Sequence, residues 1–292
     1  MRHAITVDVE DWYQSTYDAK AELSDRFLPS TRKVLDAFQQ AGIKATFFVL
    51  GLAVRKSPAV VREIMAAGHE VQSHGYGHVE VFELTEEQFR QDLLRAKKMI
   101  EDLSGAEVIG YRAPSFSIDE RTPWALDVLA ETGHQYDSSI FPIKTSRYGV
   151  EGYRPEPHIV TTSRGQRIVE APLACFDFLG KRRPCGGGGY FRLYPYWLIR
   201  RAFCQLDRMG RAGVVYLHPY EYDPEELDSY KSVTTWKQRL HQGLGRRAFA
   251  GKVDRLIRDV KVGPLREVLA HLLAELPTGR RAGNPHPAKE ER

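Results

Sequence analysis

Apolar residues recur along this chain in two alternating rhythms. Short, nearly continuous apolar runs at 4–9, 44–50, 69–73, 108–111, 134–136 and 213–217 predict buried strands. Between them the period lengthens to three and four. Val34, Leu35 and Phe38 mark a helix over 29–41, stopped by Gly42. Val60, Val61, Ile64 and Met65 mark a second, which starts at Ser57-Pro58 (N-cap and first helical proline) and runs to Gly68. Phe89, Leu93, Leu94 and Ile100 mark a third, opened by the capping-box pattern Thr85-Glu86-Glu87-Gln88 and closed near Ser104-Gly105. Two more cover 122–132 and 194–209. Strand–helix repetition of this kind predicts a parallel α/β sheet or barrel.

The rhythm breaks between Tyr148 and Gly189, where proline and glycine are frequent and the apolar runs short. This segment reads as a β-rich or looped excursion spanning about 145–190. Its glycine run, Cys185 to Gly189, lacks the Lys-Ser or Lys-Thr of a phosphate loop. Residues 224–244 and 252–276 read as peripheral helices. Residues 277–292 are rich in proline, glycine and charge and read as disordered. The expected organisation is therefore a barrel over 1–220, a helical extension packing on it over 221–276, and a tail.

Composition narrows the field. At 292 residues the chain can bury a full core. The net charge of +4 is small, and no aromatic-laced basic stripe suggests nucleic acid. Three cysteines without a Cys-x-x-Cys pair suit a reducing compartment better than a disulfide framework. No signal-peptide core precedes the first strand and no run is long enough to span a bilayer, so a cytoplasmic protein is expected, with peripheral membrane contact still open. Composition says nothing of oligomeric state.

The candidate chemistry lies at strand ends, where α/β folds place their sites. Asp8, Glu10 and Asp11 end the first strand. His74 and His78 follow the third, four residues apart, and so can converge on one metal ion. Arg112 follows the strand at 108–111, Asp137 the one at 134–136, and His218 the last. Two histidines and one carboxylate would leave a metal with open positions, a catalytic pattern. A second carboxylate is placed to act as base, Arg112 to hold it ionised, and His218 to protonate a leaving nitrogen. The set fits hydrolysis of an amide.

The order of these motifs resembles the polysaccharide deacetylase (NodB-homology) family of carbohydrate esterases. The matching stretches are Thr6-Val7-Asp8-Val9-Glu10-Asp11, His74-Gly75-Tyr76-Gly77-His78, Arg112-Ala113-Pro114-Ser115-Phe116, Asp137-Ser138-Ser139 and Tyr216-Leu217-His218-Pro219, with Ala45 to Gly51 also similar. The resemblance covers roughly residues 1–220 and is nearest to the subgroup associated with exosortase-type exopolysaccharide clusters. It implies a distorted (β/α)7-type barrel with a helical C-terminal extension, and a metal-dependent hydrolase removing N-acetyl groups from amino sugars of a polysaccharide or its lipid-linked precursor. It implies a divalent metal, Zn2+ first and Co2+ or Ni2+ as alternatives. Carried over by residue, Asp8 is the base, His218 the acid and Arg112 the residue orienting the base. His74 and His78 are metal ligands, with Glu10 or Asp11 as the carboxylate ligand. Leu217 forms the wall against the acetyl methyl, with Pro114, Phe116 and Asp137 also at the substrate. Trp12, Tyr76, Phe116, Tyr190 and Phe191 are candidates for stacking on sugars.

Two departures stand out. The family's adjacent aspartates are spread here into Asp-Val-Glu-Asp, and the residue after the first histidine is Gly75 rather than serine or threonine. Related barrels with altered acidic motifs resemble metal-free amidohydrolases on cyclic ureides such as allantoin. An inactive sugar-binding barrel is the third reading.

Overall fold

A computed structural model describes residues 1–277. Its frame is one curled sheet of nine strands: β1 (His3–Val9), β2 (Thr46–Val49), β3 (Glu70–Ser73), β4 (Gly110–Tyr111), β5 (Tyr136–Asp137), β6 (His158–Thr161), β7 (Arg167–Glu170), β10 (Val214–Leu217) and β11 (Val262–Gly263). The order is β10-β1-β2-β3-β4-β5-β7-β6, with β11 paired to the start of β1. Every pairing is parallel except β6 with β7. Two further strands, β8 (Cys175–Phe178) and β9 (Lys181–Pro184), form a separate hairpin.

The helices are α1 (Trp12–Thr16), α2 (Phe27–Ala41), α3 (Gly51–Lys56), α4 (Ala59–Ala66), α5 (Glu86–Ser104), α6 (Ala125–Glu131), α7 (Gly188–Leu193), α8 (Tyr196–Arg208), α9 (Glu226–Ser229), α10 (Trp236–Gly243), α11 (Arg246–Asp259), α12 (Leu265–Val268) and α13 (Ala270–Leu273). None of them is long and apolar enough to cross a membrane. The capping box at Thr85 and Gln88 forms as the sequence suggests. Ser57 does not cap: it closes α3, a short helix the apolar pattern does not announce, and its side chain makes no cap bond to α4.

Strand alternation sorts the core into two layers. Outward residues Ile5, Val7 and Val9 of β1, with Val215 and Leu217 of β10, pack against α2, α8 and α11 through Val34, Phe38, Ile199, Phe203 and Val253. Inward residues Ala4, Phe48, Tyr136, Val169, Val214 and Tyr216 fill the barrel.

The excursion supplies two strands to the sheet and then helps to close it. Ala174 donates its N–H to the Val214 carbonyl, and Tyr216 donates to the Gly186 carbonyl at 2.6 Å, so an irregular segment covers the outer edge of β10. Glycine is required there. Gly187 has φ +138°, and a Cβ on it would stand 2.0 Å from the Tyr216 carbonyl oxygen.

The C-terminal extension is less peripheral than its pattern suggests. The helices α9 to α11 lie outside the barrel, but the chain then returns as β11 beside β1. Leu265 and Leu269 are fully buried in the barrel's interior cluster. The Leu265 N–H donates to Thr46 Oγ1 at 2.7 Å, and that of Arg266 to Glu70 Oε2 at 3.2 Å. This segment therefore plugs the end of the barrel remote from the histidines. The tail beyond Pro277, read from sequence as disordered, lies outside the described residues.

Candidate active site

The carboxyl ends of β1, β3, β4 and β10 meet at one mouth of the barrel. Asp8, Glu10, His74, His78, Phe116 and His218 line a cavity of about 140 Å3 there. Glu10 Oε2 lies 3.2 Å from His74 Nε2 and 2.8 Å from His78 Nε2, and Glu10 Oε1 lies 3.4 Å from His218 Nε2. All of these are buried except His218, whose side chain is 13% exposed.

The local chain explains how the imidazoles are aimed. His74 Nδ1 donates to the Arg112 carbonyl at 2.8 Å, leaving its Nε2 lone pair for the cavity. His78 has φ +58°, in the left-handed region that histidine enters more readily than most residues. Gly75, at φ +77°, makes the turn between them. A Cβ on Gly75 would sit 2.9 Å from Asp92 Oδ2, and the same oxygen accepts the Tyr76 N–H at 2.9 Å. A carboxylate from α5 thus takes the room that a serine or threonine side chain would need.

Arg112 is fully buried behind this ring. Its Nη1 donates to Asp8 Oδ1 and to Thr6 Oγ1, each at 2.7 Å. Its Nε donates to the Ser138 carbonyl and its Nη2 to Ser138 Oγ. Phe48 lies beneath the guanidinium at 4.3 Å. His218 is held from its other side: its N–H and Nδ1 both donate to Glu221 Oε2, at 3.1 and 3.3 Å, and its ring stacks on Tyr220.

Burial alone would raise the Glu10 carboxyl, but His78 and His218 beside it outweigh burial and hold it well below the usual carboxylate range. At His218 burial opposes the charged form, yet Glu10 and Glu221 outweigh it and raise the imidazole above its ordinary value.

Four expected site residues lie elsewhere. Asp11 is the N-cap of α1: its carboxylate accepts from the N–H groups of Tyr13, Gln14 and Ser24, from the Ser24 hydroxyl and from Tyr230. Alternation puts Asp8 and Glu10 on the inner face and turns Asp11 away, so the carboxylate facing the imidazoles is Glu10. Leu217 faces the outer core, and its neighbour Tyr216 is the cavity residue instead. Pro114 is buried off the wall, while Phe116 is on it. Asp137 is fully buried and hydrogen-bonded with Glu170; burial raises both carboxyls, Glu170 well above its usual range. Asp137 receives the Ser139 hydroxyl, and Ser139 Oγ receives the Ala113 N–H, so this loop cradles the Arg112 segment. Of the proposed sugar-stacking aromatics, Trp12 and Phe191 are fully buried.

Tyr216, Tyr220, Ser115, Arg147 and Tyr148 also line the cavity and were not anticipated. The spacing of two between Tyr216 and His218 on β10 carried that signal for Tyr216. The loop residues Arg147 and Tyr148 carried none.

The described residues contain one cluster whose donor atoms suit a metal: Glu10, His74 and His78, with one ligand atom from each within 4.8 Å of the others. Two imidazoles with a free Nε2 and one ionised carboxylate fit a divalent ion with open positions.

Comparison with known proteins agrees with this architecture. Residues 13–136 match the polysaccharide deacetylase family model, and residues 138–270 match a domain of unknown function, DUF3473. The boundary falls inside the sheet, at β5, so the two matches describe halves of one barrel. A peptidoglycan-N-acetylglucosamine deacetylase from Bacillus cereus is 31% identical over 114 residues, which is 37% of this chain and 42% of that protein. The chain thus spans less than half of that relative's length. A putative polysaccharide deacetylase from Mycobacterium smegmatis superposes with a TM-score of 0.63 at 22% identity, covering 98% of this chain and 94% of the other. An allantoinase superposes with a TM-score of 0.62 at 17% identity, covering 95% and 92%. Residues 13–136 therefore carry a polysaccharide deacetylase domain by their match to that family model, and the chain as a whole shares the curled α/β fold of these structures.

Proposed function

We propose that this protein is a metal-dependent N-deacetylase acting on N-acetylated amino sugars of a glycan, or of its lipid-linked precursor during exopolysaccharide assembly. The observation that carries this reading is the convergence of Glu10, His74 and His78 on one point beside a separate carboxylate, Asp8, and a separate imidazole, His218. The relative from Bacillus cereus is named for deacetylating N-acetylglucosamine in peptidoglycan.

Glu10, His74 and His78 would hold the ion, with Zn2+ as first candidate. When bound there, a divalent ion polarises the acetyl carbonyl and acidifies water. Asp8, oriented by Arg112, takes the proton of the attacking water at Oδ. That water's oxygen joins the acetyl carbon, the C–N bond breaks, and His218 delivers a proton from Nε2 to the departing nitrogen. The products are acetate and a free amino sugar. The cavity accommodates an acetamido group, leaving the rest of the glycan along the surface near Ser115, Arg147 and Tyr148. An allantoinase-like amidohydrolase would share the barrel, but three convergent donor atoms favour the metal-dependent reading.

The test is acetate release from N-acetylglucosamine oligomers by chelator-treated protein, with and without added Zn2+ or Co2+, against His74→Ala. Metal-restored release lost in the variant supports the proposal. Release indifferent to chelation and to His74 would overturn it.

A further inference from the structure

One exposed feature lies outside the candidate active site. Helix α10 buries none of its eight residues. Trp236 and Leu240 on it, with Leu244 just after and Val233 just before, are each half or more exposed. The spacing 236, 240, 244 puts the large apolar side chains on one stripe. The exposed Leu193 adjoins it, because the Arg192 carbonyl packs against Gly245 and Arg192 Nη2 donates to the His241 carbonyl. Leu227, Trp236, Leu240 and Leu244 line a groove of about 680 Å3, with Arg239 and Arg247 at its rim.

An isolated helix this short is unstable in water. This one is anchored at its N-terminal end by the Thr235–Gln238 capping box and by Arg239, whose Nη1 donates to the Lys231 and Thr234 carbonyls, and towards its C-terminal end by the Arg192 bond to the His241 carbonyl. The fold therefore presents the stripe rather than hiding it.

We propose that α10 and its flanks are a docking surface for an anionic phospholipid bilayer. The apolar stripe is bordered by Lys237, Arg239 and Arg247, none of which forms an ion pair among the described residues. A short helix with Trp and Leu on one side and cations beside them suits the headgroup–acyl boundary. A second copy of the chain suits it poorly, since a two-fold contact would set these cations against their own images. The surface also stands beside the cavity: Tyr230, at the end of α9, stacks on Tyr13 of α1 at 4.9 Å, and Tyr17, at the close of α1, bonds to Gln242 of α10. Ser15 and Thr16 of α1 line the cavity. Docking would bring a membrane-borne glycan to its mouth, a consequence that rests on the proposed function; the docking itself does not.

The test is co-sedimentation of the full chain with vesicles of phosphatidylcholine alone or mixed with phosphatidylglycerol. We expect salt-sensitive binding that needs the anionic lipid. Trp236→Ser/Leu240→Gln/Leu244→Gln should reduce it at least tenfold while leaving circular dichroism and turnover of soluble oligomers unchanged, and Trp236→Ser alone should reduce it partly. Lys237→Glu/Arg247→Glu should weaken it at least about 25-fold, at roughly fivefold per cation. No binding to anionic vesicles at low salt, undiminished binding by the triple variant, or a solution dimer that the triple variant dissolves would each overturn the proposal. Because no substrate enters the binding assay, its failure is distinct from failure of the deacetylase reading.

Discussion

The imidazole of His218 lies flat on the phenol ring of Tyr220, with centroids 4.6 Å apart and planes 8° apart. The Arg246 guanidinium stands 5.1 Å from the same phenol and 5.4 Å from the Trp12 ring. The candidate acid is thus backed by a stack rooted in α11, outside the sheet. An aromatic stack contributes about 0.5–1.5 kcal/mol. Tyr220→Leu should therefore lower kcat for acetate release by roughly two- to twelvefold, with metal content unchanged. Tyr220→Phe, which keeps the ring, should stay within about twofold of the parent. Equal losses in both variants would show that the hydroxyl, not the stack, matters.

Glu10 and Asp11 are adjacent in sequence and opposite in role. Glu10→Ala removes a donor facing two imidazoles, and bound metal per chain, measured by elemental analysis after dialysis, should fall towards zero. Asp11→Ala removes an N-cap, which should cost about 1 kcal/mol of stability and leave the metal in place. Loss of metal in the Asp11 variant alone would reverse the assignment.

Two histidines remote from the mouth set an acid limit on stability. Burial drops His134 to about 3 and His69 to about 4, from an ordinary value of 6.5. Both are neutral in the folded chain, so the unfolded chain takes up more protons below pH 6.5. Stability is full above that value and is lost as pH falls towards the folded values. At pH 5 His134 alone should account for about 2 kcal/mol. Urea unfolding midpoints at pH 7 and pH 5 read the loss, and His134→Gln should flatten the slope. A midpoint constant between those pH values would contradict it.

Gly75 and Asp92 compete for one place. Gly75→Ser puts a side chain on a left-handed residue, at about 1–2 kcal/mol, and drives its Cβ onto Asp92 Oδ2. Unfolding of Gly75→Ser, Asp92→Ala and the double variant should show the second change relieving part of the first. Strict additivity would mean that the cost is backbone strain alone.

Much of the site was readable from the chain because strand ends carry short-range information. Asp8 and Glu10 share a face by alternation, His74 and His78 sit across one tight turn, and Arg112 follows a strand directly. Asp11, Leu217, Pro114 and Asp137 misled for a common reason: a motif names neighbours in sequence, while the cavity selects directions. One step along β1 or β10 turns a side chain from the mouth to the outer core.

Local signals in the chain specify the alternation of strands and helices, and hence the α/β class, the capped helix at Thr85 and the donor types gathered at the strand ends. These follow from local periodicity, turn chemistry and ionisable groups, which need no knowledge of distant contacts. Long-range packing decided that Glu10 rather than Asp11 meets the imidazoles and that Glu221 and Tyr220 hold His218. It also decided that Leu265 and Leu269 return to plug the barrel from a segment that reads as a surface helix. Each of these depends on which groups, tens to hundreds of residues apart, share one buried volume. Packing settles that through the elimination of empty space and of unpaired polar atoms, and neither is encoded in any local window of the chain.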